Sequence, residues 1–128
     1  MTSPRVLVVD DSPGFLGAAA RVLRGEGMVV VGTAATSAEA LSRTREMEPD
    51  VALVDIDLGP ESGLELARQL AAEPDARRTR IILISTHSAE EFADLIAASP
   101  AIGFLPKSRL SATAIEQLLE RDGADDGG

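Results

Sequence analysis

The sequence predicts a doubly wound α/β domain, a five-stranded parallel sheet with helices on both faces. Three observations carry this. Short apolar runs rich in Val, Ile and Leu recur five times, stretches with helical apolar spacing separate them, and capping residues stand where those stretches begin. At 128 residues the chain has room for one domain with a substantial core and not for two ordinary ones.

In chain order, the strand candidates are Arg5 to Val9, Met28 to Gly32, Val51 to Asp55 and Arg80 to Ser85, with a weaker fifth at Ile102 to Leu105. Helical spacing joins Phe15, Ala18, Ala19, Val22 and Leu23, then Leu41, Thr44 and Met47, and finally Leu110, Ala114, Ile115 and Leu118. Ser12 before Pro13 fits an N-cap with proline in the first turn. Thr36 with Glu39, Ser62 with Glu65, and Ser88 with Glu91 each fit a capping box. After Arg121 the run Asp-Gly-Ala-Asp-Asp-Gly-Gly offers no apolar face, so residues 1–121 are read as the domain and 122–128 as a flexible tail. That tail is compatible with a stand-alone protein and with a linker to an output domain.

The apolar fraction of 45% comes almost wholly from aliphatic residues, with three Phe and no Trp or Tyr, so the core is aliphatic. The absence of cysteine excludes disulfides and thiolate metal sites and makes the cytoplasm the default compartment. Neither a targeting signal nor a run of membrane-spanning length is read. A formal net charge of −9 opposes binding of this domain to a phosphate backbone, because such binding depends on Lys and Arg releasing counterions.

In open parallel sheets ligands collect beyond the carboxyl ends of the strands. The residues there are Asp10 and Asp11 after the first strand, Asp55 and Asp57 around the end of the third, Ser85 and Thr86 after the fourth, and Lys107 after the fifth. Crowded carboxylates repel one another unless a cation sits among them, and an oxygen-only ligand set suits Mg²⁺. A lysine and a hydroxyl nearby supply the positive charge and hydrogen bond that a transferring phosphoryl group needs, so the chemistry that fits is phosphoryl transfer.

The ordered set Val-Leu-Val-Val-Asp10-Asp11-Ser, Leu-Val-Asp55-Ile-Asp57-Leu, Ile-Leu-Ile-Ser85-Thr86 and Gly103-Phe104-Leu-Pro-Lys107 resembles the response-regulator receiver domains of bacterial two-component systems. The intervals match as well: 44 residues from Asp11 to Asp55, 30 from Asp55 to Ser85 and 22 from Ser85 to Lys107. The resemblance, over roughly residues 5 to 120, implies a flavodoxin-like (βα)5 fold with strand order 2-1-3-4-5. It also implies a signalling phosphoacceptor rather than a turnover enzyme. Asp55 would receive the phosphoryl group from a histidine kinase or phosphotransfer protein, and the switch would alter contacts with a downstream protein target. Metal ligands would be Asp11, the Asp55 carboxylate and the main-chain carbonyl of Asp57, with Asp10 acting largely through water. Lys107 would bind a phosphoryl oxygen, Ser85 would be the switch hydroxyl, and Phe104 would be either simple core or the aromatic that reports the switch.

The chain departs from the family pattern in three places. Gly59 stands where proline is frequent, four residues after the acceptor, and Ser108 rather than a proline follows the lysine. Thr86 is bulkier than the usual residue after the switch hydroxyl and could narrow the opening over Asp55. Two rival functions remain at this stage: a phosphatase resembling haloacid dehalogenase hydrolases, suggested by Asp55-Ile-Asp57, and an interaction module of the same fold without phosphorylation. Finally, Asp57 and His87 each lie two residues past a site residue, on adjacent strands. Their side chains are expected over the mouth of the site, where they could meet and shelter the phosphoryl group from water.

Overall fold

The computed structural model describes residues 3–76 and 78–126. Five parallel strands, β1 (Arg5–Val9), β2 (Val29–Ala34), β3 (Val51–Asp55), β6 (Arg80–Ser85) and β7 (Gly103–Pro106), form a sheet in the order β2-β1-β3-β6-β7. Counting only these strands, the order is the expected 2-1-3-4-5. The numbering jumps because Asp57–Leu58 (β4) and Glu61–Ser62 (β5) pair as a small antiparallel hairpin directly after β3.

Side chains alternate across β1, so Leu7 and Val9 enter one apolar layer and Val6 and Val8 the other. Helices α2 (Ser37–Met47) and α3 (Gly63–Ala72) close the first layer through Ala40, Leu64, Leu66, Ala67 and Leu70. Helices α1 (Pro13–Gly25) and α5 (Ala112–Asp126) close the second through Ala19, Ala20, Leu23, Ala112 and Ile115. Each fully buried Leu or Ile contributes about 1.5 to 3 kcal/mol, and both faces of β3 are buried along its whole length.

The caps form at three of the four expected starts. Ser12, Thr36 and Ser62 accept hydrogen bonds from the backbone N–H groups of Phe15, Glu39 and Glu65. The fourth start differs. Ser88 makes no side-chain cap, the chain runs through a 3₁₀ turn at Ala89–Phe92, and the following helix α4 is only Ala93–Ala97. In that turn the Glu91 N–H donates to the Ser88 carbonyl at 3.3 Å, and the Glu91 carboxylate faces His87 Nδ1 at 3.2 Å instead of the Ser88 backbone.

Helix α1 also presents a different stripe from the one expected. Leu16, Ala19, Ala20 and Leu23 follow i, i+3, i+4, i+7 spacing and face the core, while Ala18 and Val22 point to solvent. Strand β2 begins and ends later than the Met28 to Gly32 run, because the β1 and β2 register shifts between Val6 and Leu7 and carries pairing on to Ala34. At the other end of the chain, α5 continues past Arg121 to Asp126. The expected tail is helical over that stretch, Asp122 within it pairs with Arg80 on β6, and the tail's last two residues lie outside the described ones. No helix among the described residues is long and apolar enough to cross a membrane.

Candidate functional site

The carboxyl ends of β1, β3, β6 and β7 deliver Asp10, Asp55, Ser85 and Lys107 to one edge of the sheet. Parallel pairing sets the alignment: Asp55 is opposite Ile84, and Ser85 is opposite Pro106, the residue before Lys107. Asp10 is held by donating its N–H to Ala34 at 3.0 Å, and its Oδ1 accepts the N–H of Ser12 at 2.8 Å, which ties the carboxylate to the start of α1.

Asp10, Asp11 and Asp55 each offer a carboxylate oxygen, and the three oxygens lie within 4.8 Å of one another. Asp10 is 0% exposed and Asp55 5%, while Asp11 stands at the rim. Lys107 Nζ lies 2.5 Å from Asp10 Oδ2 and donates a hydrogen bond to Asp55 Oδ2 at 3.1 Å. Asp55 Oδ1 accepts the N–H of Asp57 at 3.2 Å. One lysine therefore balances three carboxylates, two of them buried.

The electrostatics follow from burial first and from that shortage of positive charge second. Burial pushes the Asp55 carboxyl up to about 6, with the Asp10 charge adding to the effect and Lys107 opposing it. Burial acts to depress the Lys107 ammonium, but its bonds to Asp10 and Asp55 outweigh this, and its pKa is raised above the ordinary lysine value. Asp10 Oδ2 is buried and, apart from its ion pair with Lys107, has no hydrogen-bond partner among the described residues. A buried anionic oxygen whose partner is the one lysine that also serves Asp55, beside two more carboxylates, fits a hard divalent cation.

The fourth expected carboxylate takes another course. The Asp57 side chain is turned to solvent, with its Oδ2 3.8 Å from His87 Nε2. The two residues expected over the site mouth thus do approach each other, and His87 also faces Glu91 and the ring edge of Phe92. Ser85 is 1% exposed, and its Oγ accepts the N–H of His87 at 3.0 Å. Thr86 is exposed at the rim, and Phe104 is half-buried against the core layer of α2 and α3.

The departures in the sequence have local structures. Gly59 and Pro60 form the turn of the β4–β5 hairpin, with Gly59 at φ +62°, a conformation that disfavours a side chain. Its Cα lies so near the cluster that an added Cβ would come within 3.2 Å of Asp11 Oδ2. None of the described peptide bonds is cis, so Lys107 reaches the carboxylates through a trans bond to Ser108, at the start of a 3₁₀ turn over Lys107–Arg109.

Two contributors are absent from the sequence reading. Gly63 opens α3 against the acceptor strand, and an added Cβ there would overlap the Asp55 carbonyl. A glycine at the first position of a helix just after its cap was the available signal, since helix propensity gives no reason for it. Phe15, read only as part of an apolar stripe, lies under Lys107 Nζ, 4.5 Å from the ring centroid.

Comparison with known proteins agrees with this geometry. The family described as response regulator receiver domain matches residues 6–121. A protein-glutamate methylesterase/protein-glutamine glutaminase of Anaeromyxobacter dehalogenans is 35% identical over 122 residues, covering 91% of this chain and 33% of that protein. The response regulator GacA of Pseudomonas viridiflava is 30% identical over 116 residues, covering 89% of this chain and 53% of that protein. This chain thus spans about half or less of the length of these relatives. The signal receiver domain of NarL from Mycobacterium tuberculosis superposes with a TM-score of 0.77 at 32% identity, covering 94% of this chain and 96% of that one. With five parallel strands in receiver order and the acidic, hydroxyl and lysine residues gathered at their carboxyl ends, the chain belongs to the response regulator receiver domain family, the phosphoacceptor module of two-component signalling.

Proposed function

We propose that Asp55 is the phosphoacceptor, that Asp10, Asp11 and Asp55 together with the main-chain carbonyl of Asp57 hold Mg²⁺, and that Lys107, Ser85 and Thr86 handle the phosphoryl oxygens. The observation that carries this reading is the arrangement at Asp55. It is a buried carboxylate at a strand end, within 4.8 Å of two others and hydrogen-bonded to a lysine. In the transfer an Asp55 oxygen forms a bond to phosphorus as the bond from phosphorus to the donor breaks, the donor being a phosphohistidine of a kinase or phosphotransfer protein, or a small acyl phosphate. The divalent ion, when bound, supplies the positive charge that offsets the crowded carboxylates and the incoming phosphoryl oxygens.

The protein's own residues do the rest. Lys107 already donates to the Asp55 oxygen and is placed to follow negative charge onto the phosphoryl group. The Ser85 hydroxyl accepts one backbone hydrogen bond and keeps its own proton for a new acceptor. Its movement toward the phosphoryl group, with Phe104 on the neighbouring strand, would bias the pre-existing alternative arrangement of the segment after β6. Asp57 argues against a phosphatase of the Asp-x-Asp type. Its carboxylate, which would have to serve as acid and base beside Asp55, faces His87 and solvent instead. Output is through protein contacts of a signalling phosphoacceptor in the cytoplasm, since the acidic domain is ill suited to nucleic acid.

The test is incubation with acetyl phosphate and Mg²⁺, followed by intact-mass analysis of wild type, Asp55→Asn and Lys107→Ala. One phosphoryl group on wild type, none on Asp55→Asn and a slowed reaction for Lys107→Ala are expected. Undiminished incorporation in Asp55→Asn would refute the assignment. A pull-down with and without beryllofluoride, a phosphoryl mimic, would then test output, and identical partners in both states would contradict switching.

A further inference from the structure

Lys107 is the residue on which the site's charge balance depends, yet the family's usual following proline is absent and its 3₁₀ turn makes no side-chain cap. Its ammonium has three neighbours: Asp10 Oδ2, Asp55 Oδ2 and the face of the Phe15 ring, 4.5 Å from the centroid. The ammonium is largely desolvated, with 15% of the side chain exposed, so the ring quadrupole acts on it with little screening.

Phe15 is itself fixed by the turn that carries the acidic pair. The Ser12 N–H donates to Asp10 Oδ1, Pro13 sets the first helical residue, and Ser12 Oγ accepts the Phe15 N–H at 3.3 Å. A single short segment, residues 10–15, thereby supplies two carboxylates of the cluster and the aromatic platform for the lysine that serves them. The three neighbours differ in one respect. Both carboxylates belong to the cluster whose charge is altered when the cation and the phosphoryl group arrive, and Asp55 loses its own charge on becoming an acyl phosphate. The ring has no charge to lose.

We propose that Phe15 is a positioning residue for phosphoryl transfer: its ring face holds the Lys107 ammonium over the reacting oxygen of Asp55 while the lysine's carboxylate partners change charge. The inference rests on Asp55 being the phosphoacceptor. Removing the ring while keeping apolar bulk should slow self-phosphorylation by about five- to thirtyfold, the range expected for a largely desolvated cation over an aromatic face.

The experiment compares wild type, Phe15→Leu and Phe15→Trp in two measurements. The first is the proton NMR shift of the ε-methylene of Lys107, the chain's single lysine, which ring current moves upfield of the ordinary lysine ε-methylene position if the ammonium sits over the ring. The second is the rate of phosphorylation by acetyl phosphate with saturating Mg²⁺. Wild type should show the upfield shift, Phe15→Leu should lose both the shift and the rate, and Phe15→Trp should keep the shift and most of the rate. A simple packing role would let leucine serve as well as tryptophan. An ordinary Lys107 shift in wild type would overturn the proposal even if Phe15→Leu failed to fold. Equal rates for wild type and Phe15→Leu would overturn it as well. Absence of any phosphorylation of wild type would instead overturn the phosphoacceptor reading, and the positioning role with it.

Discussion

Asp55→Asn should make the metal-free protein more stable at neutral pH, and the reason is the burial of the Asp55 carboxylate, to which the nearby Asp10 charge adds. The Asp55 carboxyl titrates at about 6 in the fold and at 3.8 ordinarily. Below about pH 3 it is protonated in both the folded and unfolded chains and favours neither. As pH rises, the unfolded chain releases the proton first, so the folded state binds more protons and loses stability until its own carboxyl has ionised, somewhat above pH 6. The gap between 3.8 and about 6 corresponds to about 3 kcal/mol as an upper bound, since each tenfold change in acidity is about 1.4 kcal/mol. Asparagine keeps the shape and a hydrogen-bond acceptor for Lys107 without the charge. In urea titrations with chelator present, Asp55→Asn should match wild type near pH 3, exceed it by about 1 to 3 kcal/mol at pH 7, and open the difference between those values. Added Mg²⁺ should stabilise wild type and narrow the gap. A difference independent of pH, or a less stable Asp55→Asn at pH 7, would refute the electrostatic reasoning.

Three further outcomes follow from single contacts. Gly63→Ala places a Cβ against the Asp55 carbonyl and should cost about 1 to 3 kcal/mol or more in urea unfolding, whereas wild-type stability would show that the α3 start yields freely. Glu26→Ala removes the carboxylate that accepts the Ala112 N–H at 2.8 Å at the first turn of α5. It should lower stability by about 1 kcal/mol, and unchanged urea midpoints would contradict that capping role. His87→Ala opens the mouth between Asp57 and the turn before α4. Because exposed pairs are worth under about 1 kcal/mol, dephosphorylation of Asp55 should quicken by no more than about fivefold, and a slower rate would reverse the assigned direction.

Much of this architecture is legible in the chain itself, for identifiable reasons. Strands β1, β3 and β6 begin and end where their apolar runs do, because a buried parallel strand needs nearly every residue apolar and the polar residue that follows is the site. The caps at Ser12, Thr36 and Ser62 are local chemistry and form as written. What fails is decided by partners far along the chain or by side chains with more than one suitor. Glu91 pairs with His87 rather than closing a capping box, and α4 is short. Asp122, read as the beginning of a tail, finds Arg80 on another element and stays helical. Two-residue strands such as β4 and β5 have no period to read. Within the site, the strand-end residues were recognisable from position alone, but the contact of Phe15 with Lys107 joins opposite ends of the sequence and carries no local mark.

The role proposed for Asp55 is to accept a phosphoryl group in a site whose cation and lysine are matched to it. The most direct measurement is intact-mass analysis of wild type and Asp55→Asn after acetyl phosphate treatment, each with Mg²⁺ and with chelator. One phosphoryl group per chain is expected on wild type only when Mg²⁺ is present, and none on Asp55→Asn under either condition. Incorporation that survives either the substitution or the chelator would contradict that role.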